Sequence, residues 1–151
     1  MMGDIMMNNK IDSFKGKYFF LSNFFTANVN WEGRTYLNNE AAFQSAKCIN
    51  DKMRDKFMNM NPSQAKSAGR RVNLRHDWED IKEDVMYEVC RAKFTQNVEL
   101  GKKLIETGDA ILIEGNDWGD KTWGMVNNVG QNKLGKILMK IREELKNDKK
   151  C

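Results

Sequence analysis

The sequence predicts an α+β fold that is predominantly helical and contains short antiparallel strands. Apolar residues recur at helical spacing over most of the chain, in several places directly behind a residue that typically begins a helix. Two short β-type runs flank the dipeptide Glu32-Gly33, which is the pattern of a hairpin. The chain has 151 residues, a length that suits one domain with one core.

The predicted strands lie in the first quarter of the chain. They are expected at 17–21, 28–31 and 34–37, with Glu32-Gly33 as the tight turn between the last two. Asn39 precedes Glu40 as the expected N-cap of a helix that runs to about Ile49. A second helix is expected over residues 51–58.

Helices account for most of the remaining chain. Pro62 follows Asn61 at the first helical position, which predicts a helix toward Arg71. Asp77 is expected to cap a longer helix that ends near Thr95. The later elements are expected to be a helix over 98–107, a strand over 110–114 and a final helix capped by Asn132 with a core stripe of Leu134, Ile137, Leu138, Ile141 and Leu145.

The two ends are expected to lie outside the folded domain. Residues 1–10 are interpreted as a flexible N-terminal tail, residues 11–146 as the domain and residues 147–151 as a charged tail. The first ten residues lack the basic and apolar segments of a signal peptide, and no apolar run approaches the ~20 residues of a membrane helix. Three cysteines without a C-x-x-C pair favour reduced thiols. These observations predict a cytoplasmic protein without a membrane partner.

Charge and composition restrict the ligands. The net charge of +4 fits a phosphorylated ligand, and it is small for a dedicated nucleic-acid protein. Cys48 is interpreted as a small buried residue rather than a nucleophile. One histidine, His76, does not make a metal site, so no metal and no cofactor are expected. The sequence gives no oligomeric state.

The stretch from Asn39 to Lys47 contains the first candidate site. On a helix, Glu40, Gln44 and Lys47 lie at i, i+4 and i+7, and at ~100° per residue all three project from one face. Such a face is either a solvated surface with a salt bridge or the wall of a polar pocket. Phe43 flanks it and can pack against neighbouring elements.

The glycine-rich loop from Glu114 to Gln131 contains the second candidate site. Its tryptophans, Trp118 and Trp123, are either core anchors or platforms for a planar base. The segment Gly130-Gln131-Asn132 is expected to end at a helix N-terminus, where N–H groups and the helix dipole favour an anion, or where Asn132 is a simple cap. Three arginines near one predicted helix end suit phosphate, and one of them is expected to pair with a carboxylate: Arg70, Arg71 and Arg75.

The order and spacing of these segments resemble the NADAR/YbiA-like family. The matching motifs run over 14–145 and comprise F-x-G-x-Y-x-x-L-S-N-F at 14–24, E-x-x-F-Q-x-x-K at 40–47, A-G-R at 68–70, R-H-D-W at 75–78, T-G-D at 107–109, D-K-T-W-G at 120–124 and G-Q-N-K-L-G at 130–135. That family groups N-glycosidases acting on ribosylamine phosphates of the riboflavin pathway with enzymes that remove ADP-ribose from nucleobases. The resemblance therefore implies a ribosyl C–N hydrolase with a single YbiA-like domain.

The resemblance also implies roles for individual residues. It implies that Glu40, Lys47 and Asp120 are catalytic. It implies that the substrate is bound by Asn23, Phe24, Gln44, Arg70, Trp118, Trp123, Gly124, Gln131 and Asn132. Two departures bear on the substrate, because Ala41 stands where many relatives have histidine and only residues 125–129 separate the last two motifs.

A ribosyl C–N bond can be cleaved by two chemical routes, and two functions without cleavage are also considered. Cleavage of a ribosyl C–N bond proceeds either through a carboxylate-stabilised oxocarbenium ion with attack by water, or through a Schiff base on a neutral Lys47 with Glu40 moving protons. The expected partner is a phosphorylated ribosyl or ADP-ribosyl small molecule, or an ADP-ribosylated nucleic acid. The alternatives are a non-catalytic ADP-ribose-binding module and, less in keeping with the charge, a general nucleic-acid binder.

Overall fold

Helices dominate the structure, a computed structural model that describes residues 9–149. The predicted fold class, α+β and predominantly helical with short strands, is confirmed. The chain divides into two compact units. The terminal unit contains residues 9–22 and 101–149 of the described part, and the central unit contains residues 23–100. No helix within the described part is long and apolar enough to cross a membrane.

The central unit begins with a hairpin. Strands β2, Thr26–Trp31, and β3, Arg34–Asn38, pair antiparallel and bury alternate residues, so one face belongs to the core. The predicted turn is confirmed, since Glu32 and Gly33 both have positive φ, as a type I′ turn requires.

Four helices complete the central unit: α1 at Asn39–Ser45, α2 at Asp51–Lys56, α3 at Pro62–Gly69 and α4 at Trp78–Gln96. A short 3₁₀ helix, Phe57–Asn59, follows α2. Helix α1 is buried along its whole length and packs against α3 and α4, while α4 also packs on β2. A polar helix that is completely buried is unusual, and this one carries the first candidate site.

The terminal unit contains the remaining elements. Strand β1, Lys10–Ile11, pairs in parallel with β4, Ile111–Leu112. A 3₁₀ helix spans Gly16–Leu21, helix α5 spans Val98–Glu106, where the chain passes from one unit to the other, and helix α6 spans Lys133–Lys149. Of the predicted core stripe of α6, Leu134, Leu138 and Ile141 are fully buried, whereas Ile137 and Leu145 are half-buried.

Two of the predicted strands are wrong or too long. Residues 17–21 form a 3₁₀ helix, with N–H to C=O bonds from Tyr18 to Lys15 and from Ser22 to Phe19. Aromatic residues favour strands only where a neighbouring strand is available. The strand expected over 110–114 contains only β4, because its partner β1 is two residues long.

The caps and ends of two helices also differ from the prediction. Asn38, not Asn39, caps α1, and its side-chain oxygen accepts a hydrogen bond from the Ala41 N–H at 2.8 Å. Helix α1 ends at Ser45 rather than near Ile49. Asp77 precedes α4 as expected, but its carboxylate makes no cap hydrogen bond and binds Arg75 instead.

The predicted tails are only partly described. Residues 1–8 and 150–151 lie outside the described residues. Lys10 belongs to β1, and α6 continues to Lys149. Lys146, the last residue of the predicted domain, donates to the carbonyl of Gly108 at 2.7 Å and pairs with Asp109 at 3.2 Å, so the end of the predicted domain is anchored.

Candidate active site

Glu40 and Gln44 form a buried pair on α1. The first helical turn is fixed by the Asn38 cap and by the Glu40 N–H, which donates to the Asn23 carbonyl at 3.0 Å. One turn later, Gln44 Nε2 donates to Glu40 Oε2 at 2.6 Å. Glu40 is 8% exposed and Gln44 7%. This charge-assisted hydrogen bond holds the carboxylate in one orientation.

Gln44 is held from the other side by α3. The Cβ that an alanine would add at Gly69 would overlap Gln44 Oε1, so the glycine at position 69 leaves the space that the Gln44 amide occupies. Gln44 Oε1 is buried and has no hydrogen-bond partner among the described residues. A buried acceptor left without a partner costs ~1–3 kcal/mol, so its presence here requires an explanation.

Lys47 lies beyond the end of α1, on a turn. The bonds Lys47 N–H to Gln44 C=O and Cys48 N–H to Ser45 C=O tighten the chain, so the predicted i, i+7 helical face does not exist. Arg75 holds this turn, since its N–H donates to the Lys47 carbonyl at 3.0 Å and its guanidinium to the Ala46 carbonyl at 3.4 Å.

The environment of the Lys47 amine is unusual. The side chain is half-buried, and Nζ lies 5.8 Å from the centre of the Trp78 ring. It makes no hydrogen bond or ion pair to any other residue in the range 9–149. Burial lowers the pKa of Lys47, the Arg70 guanidinium lowers it further, and Glu40 opposes the change. A lysine in this state has the larger neutral fraction that a nucleophile needs.

The surroundings of three neighbouring residues, Cys48, Arg75 and Arg70, show which of them can belong to the site. Burial raises the pKa of Cys48, so this thiol is not activated, and the expectation of a small buried residue is confirmed. Arg75 is the arginine that pairs with a carboxylate, at 2.6 Å from Asp77. Arg70 is exposed at the end of α3. The structure therefore brings together Glu40, Gln44, Lys47 and Arg70, hereafter the Lys47 cluster.

Asn23 and Phe24 have different surroundings. The side-chain oxygen of Asn23 accepts from Asn39 Nδ2 at 2.8 Å, and its amide donates to the sulfur of Met86 at 3.5 Å. Asn23 is thus a buried support of the first turn of α1. Phe24 is half-buried with Lys66 Nζ 5.9 Å above its ring. Asn39 was missed by the sequence reasoning because only its burial distinguishes it from an ordinary helix start.

The candidate residues of the glycine-rich loop lie in the terminal unit. Asp120 Oδ1 accepts from the N–H groups of Thr122 at 3.0 Å and Trp123 at 2.9 Å. The side-chain amide of Asn116 donates to the Asp120 carbonyl at 2.9 Å and its oxygen accepts from the Asp120 N–H at 3.0 Å. Asn116 was also missed, although asparagine in a Gly- and Asp-rich loop is a typical turn former.

Carbonyl groups of the same loop accept hydrogen bonds from the N–H groups at the start of α6. Four consecutive N–H groups, of residues 131–134, donate to the carbonyls of 121–124, so the anion site predicted at this terminus loses its donors. The Asn132 side chain binds the Glu114 N–H and the Leu112 carbonyl rather than serving as a simple cap. Gly124 is buried, Trp123 half-buried, and Trp118 and Gln131 exposed. The structure thus groups Asp120, Trp123, Gly124, Gln131 and Asn132.

Metal ligation has no candidate in the described range. No group of three or more His, Cys, Asp and Glu side chains that could hold a metal ion occurs in residues 9–149.

Known proteins resemble this chain over most of its length. A model of the NADAR domain matches residues 11–146. N-glycosidase YbiA of Shigella boydii is 38% identical over 128 residues, covering 82% of this chain and 79% of the relative. A riboflavin biosynthesis protein of Vibrio vulnificus is 35% identical over 133 residues, covering 83% of this chain and 35% of the relative. The NMR structure of YbiA from Escherichia coli matches with a TM-score of 0.82 and 35% identity, over 93% of this chain and 85% of that one.

Proposed function

We propose a substrate class for this chain, which belongs to the NADAR domain family and is an N-glycosidase, a hydrolase acting on N-glycosyl compounds. The proposed bond is the ribosyl C–N bond of a phosphorylated ribosylamine or of an ADP-ribosylated nucleobase. The relative from Vibrio vulnificus supports the first, since its name assigns it to riboflavin biosynthesis. One observation carries the proposal: Lys47 is a half-buried amine without an ion pair, beside a buried carboxylate.

The chemistry uses Lys47 as a nucleophile. The nitrogen lone pair of a ribosylamine expels the ring oxygen, which takes up a proton, and leaves an open-chain imine at C1′. The neutral amine of Lys47 adds to C1′, the leaving base departs as an amine, and a Schiff base joins lysine and ribose. Water then adds to this imine and releases the sugar as an aldehyde, which restores the lysine.

Glu40 supplies the proton movements. Adding an amine to an imine and expelling another requires a proton to move from Lys47 to the departing nitrogen, and a nearby carboxylate shortens that path. Gln44 fixes one oxygen of Glu40 through its 2.6 Å hydrogen bond. Its Oε1 is buried against Gly69 of α3, which keeps the amide directed at Glu40.

Arg70 binds the phosphate. Its side chain is exposed and makes no hydrogen bond or ion pair with another described residue, so both edges of the guanidinium are available. A planar guanidinium binds a phosphate through two parallel hydrogen bonds. Within the terminal unit, Trp123 is proposed to stack on a planar base, and Asp120, whose Oδ1 accepts from the Trp123 N–H at 2.9 Å, is proposed to assist ring opening or to orient a water.

Trapping the intermediate tests this function. The protein is incubated with a ribosylaminopyrimidine phosphate and with an ADP-ribosylguanine oligonucleotide, with and without borohydride, which reduces the imine to a stable amine. We expect base release and a ribosyl adduct on Lys47, identified by peptide mass. Lys47→Ala should abolish both, whereas the control Lys52→Ala, an exposed lysine on α2, should retain both.

Three results would contradict parts of the proposal. Base release without an adduct would favour direct attack by water on an oxocarbenium ion. Release of neither base by folded protein would refute the substrate class. ADP-ribose bound without turnover of either substrate would instead favour a binding module.

A further inference from the structure

The turn that carries Lys47 is attached to the segment directly before α4. Lys47 lies beyond the last residue of α1, so the helix alone does not fix its position. Its carbonyl accepts from the Arg75 N–H at 3.0 Å, and the next residue, Cys48, forms a bridge with Leu74. The Arg75 guanidinium also donates to the Ala46 carbonyl, at 3.4 Å. Three successive residues of the turn are thus bound to this segment.

Asp77 fixes the guanidinium that makes one of these contacts. Its two carboxylate oxygens accept from Arg75 Nε at 2.6 Å and from Arg75 Nη2 at 3.1 Å, which leaves Nη1 for the Ala46 carbonyl. A bidentate pair of this kind sets the plane and the direction of the guanidinium. Their mutual hydrogen bonds lower the pKa of Asp77 and raise that of Arg75, so the pair remains charged wherever a lysine titrates.

The contribution of this ion pair to stability is small. The side chain of Arg75 is 35% exposed and that of Asp77 50%, and ion pairs at exposed sites add little to the free energy of unfolding. Asp77 also occupies a position where an aspartate ordinarily accepts from an N–H of the first helical turn, yet it makes no such bond. The carboxylate holds Arg75 instead of capping α4. Departures of this kind from a local rule are expected near functional sites.

The first residue of α4 provides the surface against which the Lys47 amine lies. Trp78 is buried, its ring centre is 5.1 Å from that of Phe43 on α1, and Lys47 Nζ lies 5.8 Å from it. Phe43 directly precedes Gln44, so the Trp78 ring contacts both the helix of the buried Glu40–Gln44 pair and the amine. The place of the amine beside this helix therefore depends on where the turn is attached.

We propose that the ion pair of Arg75 and Asp77 is a positioning element for Lys47, which keeps the turn attached to the start of α4 and the amine against the Trp78 ring in one position. This inference rests on the proposed function, in which Lys47 is the nucleophile. Both residues act through the backbone of the turn and neither touches the substrate. A displacement of ~1 Å at a reacting group can cost ~10²-fold in rate, so a pair that adds little stability can still determine turnover.

The charges around Lys47 separate positioning from a simple electrostatic effect. The groups that act on its pKa come from α1, the end of α3, the turn itself and α4: Glu40, Arg70, Cys48 and Glu79. Burial is the largest cause of the low pKa, so release of the turn, which exposes the amine to water, raises it. Asp77→Asn leaves the charge of Arg75 unbalanced, which by itself lowers the pKa of Lys47. The two explanations therefore predict shifts of opposite sign in this variant.

The test compares Asp77→Asn and Arg75→Gln with the control Arg34→Gln. Asparagine keeps the shape of residue 77 and is a good N-cap, so α4 should still begin there. Arg34 pairs with Asp55 at 2.7 Å and thereby joins β3 to α2. Turnover is measured on the ribosylaminopyrimidine phosphate and on the ADP-ribosylguanine oligonucleotide, and melting curves verify folding. The pKa of Lys47 is measured without substrate, from the pH dependence of its acetylation by acetic anhydride, followed by peptide mass.

We expect kcat of both variants to fall by ~10²-fold with KM little changed. The pKa of Lys47 should move upward, toward 10.5, in both, including Asp77→Asn. Because the two side chains act as one unit, the double variant should be no worse than either single variant. The control Arg34→Gln should match the wild type in kcat, in KM and in the pKa of Lys47, whatever its melting temperature.

An unchanged kcat in folded Asp77→Asn would overturn the proposal. An unchanged or lowered pKa of Lys47 in that variant would also overturn it, because the pair would then not hold the amine or would act only through its charge. A loss confined to KM, or an equal loss of kcat in the control, would do the same. Failure of the proposed function is a separate result, since the wild type then forms no borohydride adduct. The acetylation of Lys47 needs no substrate and still shows whether the ion pair holds the amine.

Discussion

Replacing Lys47 by methionine should separate the stability of the protein from its activity. Methionine keeps the length and the apolar contacts of the side chain and removes the amine. Burial lowers the pKa of Lys47, so the folded protein binds a proton at this site less well than the unfolded chain does. Below the normal lysine pKa, the charge therefore destabilises the fold. Removing the charge offsets the loss of the contacts that the amine makes.

The lost interaction is small. Lys47 Nζ lies 5.8 Å from the centre of the Trp78 ring, a cation–π contact worth ~0.5–1 kcal/mol at a partly exposed site. Because the variant no longer buries a charge, its free energy of unfolding should be lower than that of the wild type by less than about 1 kcal/mol, or higher. The corresponding change in Tm is within ~2–4 °C. Turnover should fall by at least ~10²–10⁴-fold, equivalent to ~3–5 kcal/mol in the barrier.

Calorimetric melting and single-turnover kinetics on the same preparations provide the measurement. Lys17→Met is the control, since Lys17 lies 5.1 Å from the Tyr18 ring and loses a similar contact without belonging to the cluster. In the wild type, kcat/KM should rise with pH because only the neutral amine reacts, with a midpoint below 10.5. A Lys47→Met protein that melts much earlier and retains turnover would show that Lys47 is structural, and would refute this reasoning.

Four further predictions follow from contacts described above. Glu40→Gln should lose ~10²–10⁴-fold in turnover with ligand affinity little changed, and a fully active variant would leave Glu40 as a favourable charge in the first turn of α1. Gly69→Ala should displace Gln44, reduce turnover and cost ~1–3 kcal/mol of stability through overpacking. The double variant Gly69→Ala/Gln44→Ala should recover this stability; if the effects of the two substitutions on stability are additive, Gly69 and Gln44 are not in contact. Trp123→Ala should weaken binding by ~1–3 kcal/mol if the ring stacks on a base, whereas a loss of ~3–5 kcal/mol in unfolding free energy would identify a core anchor. Burial lowers the pKa of Lys93 from 10.5 to about 7, so between these pH values the unfolded chain binds more protons than the folded protein. The free energy of unfolding should therefore rise with pH in this range. Urea titrations at several pH values should show this rise in the wild type and not in Lys93→Met.

Local signals in the sequence predict much of this fold. The turn Glu32-Gly33 is encoded by the residues that occupy it, and α3 begins where Pro62 follows Asn61, with a capping box between Asn61 and Gln64. These features depend on residues at most three positions apart. The strand predicted over 17–21 is wrong, because whether a short aromatic segment becomes a strand depends on a distant partner.

The Lys47 cluster shows the same limit. Glu40 and Gln44 were predicted to share a face, and their hydrogen bond at i, i+4 is local. The position of Lys47 depends on Arg75, and that of Gln44 on Gly69, which are 28 and 25 positions away by their residue numbers. No residue after Ser45 is a helix stop signal, so the sequence predicts a longer helix. In the structure Cys48 instead forms a bridge with Leu74, and the chain leaves α1 after Ser45.

The side chain of Asn116 has a consequence for the ligand affinity that we propose for the glycine-rich loop. Fixing a flexible residue costs ~1–2 kcal/mol of conformational entropy, and a loop that becomes ordered on binding loses that amount from its affinity. Here Asn116 and Asp120 fasten the loop to itself through bonds of 2.9 and 3.0 Å before any ligand arrives. The ordering is thus completed during folding. Loss of the Asn116 amide would therefore reduce the affinity of the loop for the planar base that we propose as its ligand.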